Sequence, residues 1–325
     1  MTSVEWLFPA NVEEAVGALA EQGNRAVAGG TTVFDLLKLG HPLPRRFVDI
    51  SRLPLGRIVE TPGSLTIGAL CSNTSVANSP VVRLAFPAIP QAILSGASQQ
   101  IRNAASVGGN IMQATRCPYF RTTSWPCNRR SPGSGCEALS APTHAHAILG
   151  TSKHCIAVHP SDMVVALAAL DATVLARTPD GDLTIPITDF YTEPDGAWDQ
   201  GTMLPSKALI TAVKVPHTDA SRRSGYLKLR TRASYEFAMV SVAAALSFRS
   251  GKVEAASIAL GGVGTRPWRR KEAERLLVGE KLDQGPIDSF CDALLDGADL
   301  RPETEHKLAL SRRAVHRVLR ALADQ

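Results

Sequence analysis

The chain opens with a helical period. In "NVEEAVGALAEQG" the apolar residues Val12, Val16 and Leu19 fall on one face, Glu13 and Glu14 occupy the first turn, Asn11 stands as a cap and Gly23 as a stop. "RAVAGG" then reads as a short strand ending in a glycine pair, and "TTVFDLLKLG" as a helix capped by Thr31 or Thr32 and ended by Gly40. "RRFVDIS" and "SLTIGAL" have strand character. "TSVANSPVVRLAFPAIPQAILSGAS" predicts helical pieces broken at Pro80, Pro87 and Pro90. "QQIRNAASVGGNIM" reads as a strand or turn around a second glycine pair. "SDMVVALAALDATVLART" predicts a helix running into a strand, and Asp180-Gly181 a hairpin turn. After a polar stretch, "HTDASRRSG", the pattern over 226–264 predicts strand, helix, strand, turn and strand. "RKEAERLLVG" and "ETEHKLALSRRAVHRVLRALADQ" close the chain as helices. These elements predict two α+β units meeting near His217 to Ser224.

One stretch breaks the periodic pattern. Residues 113–155 are rich in Pro, Gly and Ser and hold Cys117, Cys127, Cys136 and Cys155, four of the six cysteines in 325 residues. A loop of that length inside a compact unit asks for a reason, and bound metal is one. The spacing is C-x9-C-x8-C-x18-C. It lacks the paired knuckles of zinc sites and suits the wider spacing that iron–sulfur ligation tolerates, although His144, His146 and His154 keep a mixed Cys/His zinc site open. Cys71 and Cys291 stand apart and read as small buried hydrophobes.

Composition narrows the partners. Net charge is +5, but the basic residues come in short groups and aromatics make up only 5%, which argues against a nucleic-acid surface and favours solvent, an anionic cofactor or an acidic partner. No apolar run approaches a membrane span. "MTSVEWLFPANVEEAV" lacks the apolar region of a secretory leader, so a chain made in the cytoplasm without membrane insertion is expected.

Two glycine pairs could carry ligand chemistry. Gly29-Gly30 before Thr31-Thr32 leaves main-chain N–H groups free at a helix start, the arrangement that binds pyrophosphate, and Gly108-Gly109 with Asn110 has the same character. No G-x-G-x-x-G occurs, which removes a Rossmann reading. Asp162 could meet a ribose or ring edge, but by spacing Ser161-Asp162 is a helix cap. Lys228, between apolar neighbours on a strand, faces an anion or solvent. No nucleophile–base signature is present, so bound cofactors would supply any chemistry.

With its blocks "AGGTTVFDLLKLG", "IRNAASVGGNI", "HPSDMVVALAALDA" and "YLKLRTRASYEFAMVSVAAAL", the chain resembles the FAD-binding medium subunits of the molybdenum hydroxylases, the family of xanthine dehydrogenase, carbon monoxide dehydrogenase and 4-hydroxybenzoyl-CoA reductase. The resemblance implies an α+β fold. A two-part, vanillyl-alcohol-oxidase-like (PCMH-type) FAD-binding domain would cover 1–220, with an iron–sulfur insertion at about 113–155, and a smaller α+β domain of the carbon monoxide dehydrogenase flavoprotein type would cover 224–325. Val27, Ala28, Gly29, Gly30, Thr31, Thr32, Val33 and Phe34 would wrap the FAD pyrophosphate. Ser106, Gly108, Gly109 and Asn110 would line its other side, and Asp162 and Lys228 would contact the ribityl or ring region. The cysteine insertion is similar to that of flavin subunits in bacterial periplasmic aromatic-aldehyde oxidoreductases, which implies a [4Fe–4S] cluster on Cys117, Cys127, Cys136 and Cys155. Also implied are a large partner with the molybdenum cofactor, a small partner with two [2Fe–2S] clusters, an external electron acceptor, and co-export to the periplasm with a signal-bearing partner, the cytoplasm being the alternative.

Overall fold

The structure is a computed structural model and describes residues 4–194 and 201–325. Three sheets organise it. The first takes β1 (Glu5–Leu7), β2 (Asn24–Val27) and β3 (Arg46–Asp49), all parallel, in the order β1-β3-β2. The second takes β4 (Ile58–Thr61), β5 (Ser64–Gly68), β6 (Thr173–Thr178), β7 (Gly181–Pro186) and β8 (Leu209–Pro216), antiparallel in the order β4-β5-β8-β6-β7. The third takes β9 (Ser224–Leu229), β10 (Val240–Arg249) and β11 (Lys252–Gly261), antiparallel in the order β11-β10-β9. Among the described residues no helix is long and apolar enough to cross a membrane.

Local rules set much of this. Asn11 Oδ1 accepts from Glu14 N at 2.8 Å and starts the helix Val12–Leu19, whose Ala15, Val16, Ala18 and Leu19 are buried. The hairpin β6–β7 closes with Thr178 opposite Gly181, which takes a φ of 129° that a side chain would resist. Cys71 and Cys291 are free thiols inside two apolar cores, as small hydrophobes should be.

Three expectations are corrected. "QQIRNAASVGGNIM" is not a strand or turn but two short helices, Gln99–Ala104 and Val107–Ile111, because Ser98 and Ser106 cap them, their hydroxyls accepting from Ile101 N and Gly109 N. Pro90 breaks nothing: it lies in the first turn of the helix Ala88–Ser95, where a missing N–H costs no bond. The helix expected inside 226–264 is absent. The apolar run there is β10, which packs on the helix Asp162–Ala169 and on the helix His306–Ala323, so it lacks the alternation that marks a one-sided strand. The helix Gln284–Leu295, by contrast, was not expected; it buries Ile287, Phe290, Cys291, Leu294 and Leu295 in the last core.

Candidate cofactor site

The first glycine pair follows β2 at the edge of a cavity of about 670 Å³. Gly29 is pressed against the helix Gln99–Ala104: a Cβ there would stand 1.8 Å from the Ala104 carbonyl oxygen. Gly30 adopts φ +66°, its carbonyl accepts from Phe34 N at 3.0 Å, and the Phe34 ring covers its α-carbon. Thr32 starts the helix Val33–Lys38 without a side-chain cap, and the N–H groups of Gly29, Gly30, Thr31 and Thr32 make no main-chain hydrogen bond among the described residues. Four donors at a loop-to-helix junction suit a pyrophosphate. Val27, Ala28 and Val33 border the same cavity. Phe34 does not: its ring turns to an outer cluster with Trp6 and Phe47, and its part in the loop is the bond to Gly30.

The second glycine pair faces the first. Ser106 caps the helix Val107–Ile111, Gly108 N donates to Ala69 O at 2.8 Å, and a Cβ on Gly108 would meet Ala69 Cβ at 3.2 Å. Ser106, Gly108 and Gly109 border the first cavity; Gly109 and Asn110 border a second of about 480 Å³. Thr31, Thr32 and Gly109 belong to both, so a ligand gripped at its middle by the glycine loops would reach one chamber with each end. That is the shape of a dinucleotide.

Asp162 and Lys228 meet in the second chamber. Lys228 Nζ donates to Asp162 Oδ2 at 2.8 Å and Tyr226 Oη to Asp162 Oδ1 at 2.5 Å, with the lysine side chain 3% and the aspartate side chain 11% exposed. Burial, then the Asp162 charge, pushes the Tyr226 phenol well above its usual range, so it remains a donor. The capping role assigned to Ser161-Asp162 falls to Ser161, whose hydroxyl accepts from Val164 N at 3.1 Å and donates to Asn110 Oδ1 at 2.5 Å. That second bond ties the "HPSDM" turn to the second glycine loop. At the mouth, Arg116 lies over the Phe237 ring at 5.2 Å and pairs with Asp35 at 3.0 Å. Asp35 also takes Arg121 at 2.7 Å, and that bond, with the two arginine charges, holds its carboxyl below the ordinary range.

Sequence reasoning singled out Asp162 in "HPSDM" and missed His159. His159 borders the first cavity, meets the Tyr191 ring at a tilt with centroids 4.3 Å apart, and has an Nε2 shut from solvent with no hydrogen-bond partner among the described residues. Its pKa is lowered from 6.5 to about 3, first by burial and then by the nearby Arg129 charge. Between these values the unfolded chain holds a proton that the folded chain refuses. Stability is therefore expected to fall as pH drops from 6.5 toward 3, by up to about 1.4 kcal/mol per unit. Denaturant melts of the flavin-free chain at several pH values check this, with His159→Phe flattening that part of the profile.

The four cysteines gather in one loop region. Cys127 and Cys136 pair across an isolated antiparallel bridge, and Cys127 and Cys155 are buried. Burial raises the Cys117 thiol to about 11 and raises Cys136; Cys127 and Cys155 lie close enough to add to both shifts. N–H groups point at the sulfurs: those of Tyr119 and Phe120 at Cys117, of Ala138 and Leu139 at Cys136, and Ala157 N at Cys155 Sγ, 3.3 Å away. Desolvated sulfurs ringed by N–H donors suit thiolates bound to iron, whose charge those donors would stabilise. Among the described residues no three His, Cys, Asp or Glu side chains converge as they would around one ion, and of the three histidines His146 lies nearest the thiols, its Nε2 3.3 Å from Cys117 Sγ. His144 is exposed and His154 contributes its carbonyl, to Asn128 Nδ2 at 3.0 Å.

Arg130 braces this loop. Its guanidinium donates to the carbonyls of Tyr119, Phe120, Thr123 and Trp125, so this member of a basic group turns to the loop's own main chain. Arg130→Met is expected to cost about 1–3 kcal/mol in a thermal melt and to open 119–125 to limited proteolysis.

This fold and site define a flavin-binding redox subunit. The family described as "FAD binding domain in molybdopterin dehydrogenase" matches residues 2–218, and "CO dehydrogenase flavoprotein C-terminal domain" matches 225–322, so the chain belongs to the FAD-binding medium subunits of the molybdenum hydroxylases and is an oxidoreductase component. It is 42% identical over 310 residues, 94% of each chain, to the aldehyde oxidoreductase FAD-binding subunit PaoB of Escherichia coli. It is 25% identical over 324 residues, 98% of this chain and 96% of the other, to the carbon monoxide dehydrogenase medium chain of Hydrogenophaga pseudoflava. A solved structure of that dehydrogenase superposes with a TM-score of 0.76 at 23% identity, covering 99% of this chain and 97% of the other, and shares the fold.

Proposed function

We propose that this chain is the flavin subunit of a heterotrimeric, molybdenum-dependent aldehyde oxidoreductase, and that Cys117, Cys127, Cys136 and Cys155 hold a [4Fe–4S] cluster. One observation carries the reading: the cysteine loop forms part of the cavity wall. Thr115 and Phe120 border the first chamber and Arg116 the second, with Cys117 between them in the chain. The identity to an aldehyde oxidoreductase subunit supports the substrate class. A large partner with a molybdenum cofactor would take the aldehyde, and a small partner with two [2Fe–2S] clusters would lie between it and this chain.

FAD, when bound, supplies one- and two-electron transfer to an external acceptor. This chain's residues hold and orient it. The N–H groups of Gly29 to Thr32 would donate to the pyrophosphate, and the second glycine loop, packed on Ala69 through Gly108, would line its opposite side. Asp162, fixed by Tyr226 and Lys228, would present a buried charge pair to the ribityl or ring region of the bound flavin. Arg116 and Phe237, in contact with each other, line the same chamber.

The test is a visible spectrum of the anaerobically purified complex before and after dithionite, with FAD, iron and zinc counted per complex. Flavin bands over a brown iron–sulfur shoulder, both bleached, are expected, and Cys127→Ser should remove about four irons. Zinc at these cysteines, or an iron count that Cys127→Ser leaves unchanged, would overturn the cluster. A complex that reduces its acceptor normally after FAD is stripped would overturn the electron-delivery role.

A further inference from the structure

The C-terminal helix reaches into the cysteine loop. Lys307, on the helix His306–Ala323, is completely buried, and its ammonium donates to His146 O at 2.8 Å and to Gly262 O at 2.6 Å. No carboxylate pairs with it among the described residues, and burial alone pulls its pKa to about 7. Burial without a counter-charge disfavours the charged form, so a negative group nearby would hold the proton on this amine. The residue whose carbonyl it holds leads to one. His146 is 4% exposed, is fixed by its own N–H to Thr143 O at 2.7 Å, and places Nε2 3.3 Å from Cys117 Sγ. A sulfur bound to iron has only lone pairs to offer, so in that state Nε2 must be the donor.

We propose that His146 and Lys307 are positioning residues that set the electron affinity of the cluster, His146 through an N–H···S bond to Cys117 and Lys307 as the buried counter-charge that also clamps the His146 main chain. This rests on the [4Fe–4S] reading above. Reduction adds one electron, and both groups favour the more negative form, so both raise the cluster's potential. The arrangement also binds the cluster loop to the C-terminal helix, so that anchoring and electronic tuning come from one contact.

The experiment is an EPR-monitored redox titration of the intact complex, with the cluster separated from the partner's [2Fe–2S] centres by its faster relaxation. His146→Leu and Lys307→Met are each expected to lower the midpoint potential by about 59 mV or more, a tenfold shift in the reduced-to-oxidised ratio. His146→Gln, which keeps an N–H donor, should recover most of it and serves if Lys307→Met does not assemble. In protein labelled with ¹⁵N-histidine, the nitrogen coupling to the reduced cluster should be present in wild type and absent in His146→Leu. Unchanged potentials in His146→Leu, and in Lys307→Met where it assembles, at full cluster and FAD content, would overturn the proposal. A wild-type complex with no [4Fe–4S] signal would instead overturn the cluster reading on which it rests.

Discussion

Gly29→Ala is expected to leave a folded chain with at least tenfold weaker FAD binding. The added Cβ would stand 1.8 Å from the Ala104 carbonyl oxygen and 2.6 Å from its carbon, and neither is the end of a flexible side chain. The glycine loop must move off the helix Gln99–Ala104, and the donors of Gly29 to Thr32 move with it. Overpacking of this kind costs about 1–3 kcal/mol. A displacement that lowers FAD affinity at least tenfold corresponds to about 1.4 kcal/mol. Flavin content after purification and the affinity from fluorescence titration measure it. Gly17→Ala is the control: it lies in the helix Val12–Leu19 with nothing within 4 Å of the new Cβ, and should gain roughly 0.5–1 kcal/mol of stability while binding FAD as wild type does. Equal FAD affinity in the Gly29 and Gly17 variants would mean that the loop is not a close backbone cradle.

Lys228→Met is expected to cost about 3–5 kcal/mol, because it leaves Asp162 ionised in a site only 11% open with Tyr226 as its remaining side-chain donor. Asp162→Asn with Lys228→Met should recover more than half of that loss, since no uncompensated charge remains. Denaturant melts of the flavin-free single and double variants give the comparison. A double variant as unstable as the single one would show that the cost came from packing and not from charge. Flavin titration of the same proteins separates the two roles of the pair: recovered stability with FAD affinity still low would place Asp162 and Lys228 in direct service of the ligand.

Both predictions concern residues that were visible before the fold was known, and the reason differs. Gly29-Gly30 and Gly108-Gly109 are local signals, since a glycine pair at a helix start exposes N–H groups whatever surrounds it. The cysteine spacing is likewise a property of the chain alone. Asp162 was ambiguous because a first-turn acid and a cap look alike in one dimension; Ser161 takes the cap and frees Asp162 for Lys228. His159 was illegible. A lone histidine beside a proline carries no sign that tertiary contacts will leave one nitrogen buried with no partner among the described residues.

By itself the sequence determined the start of the helix Val12–Leu19, the turn at Gly181, the two glycine loops and the concentration of thiols, because each depends on hydrogen bonds or steric limits within a few residues. It misplaced β10, since a strand covered on both faces loses its alternation and looks like any apolar run. Only the tertiary structure decided which loops share a cavity, which charges are buried together, and that Lys307 holds the main chain of His146, whose ring meets Cys117. Burial and charge pairing are properties of the space between elements. The chain encodes them through the sum of all its packing, and no short stretch of it carries them alone.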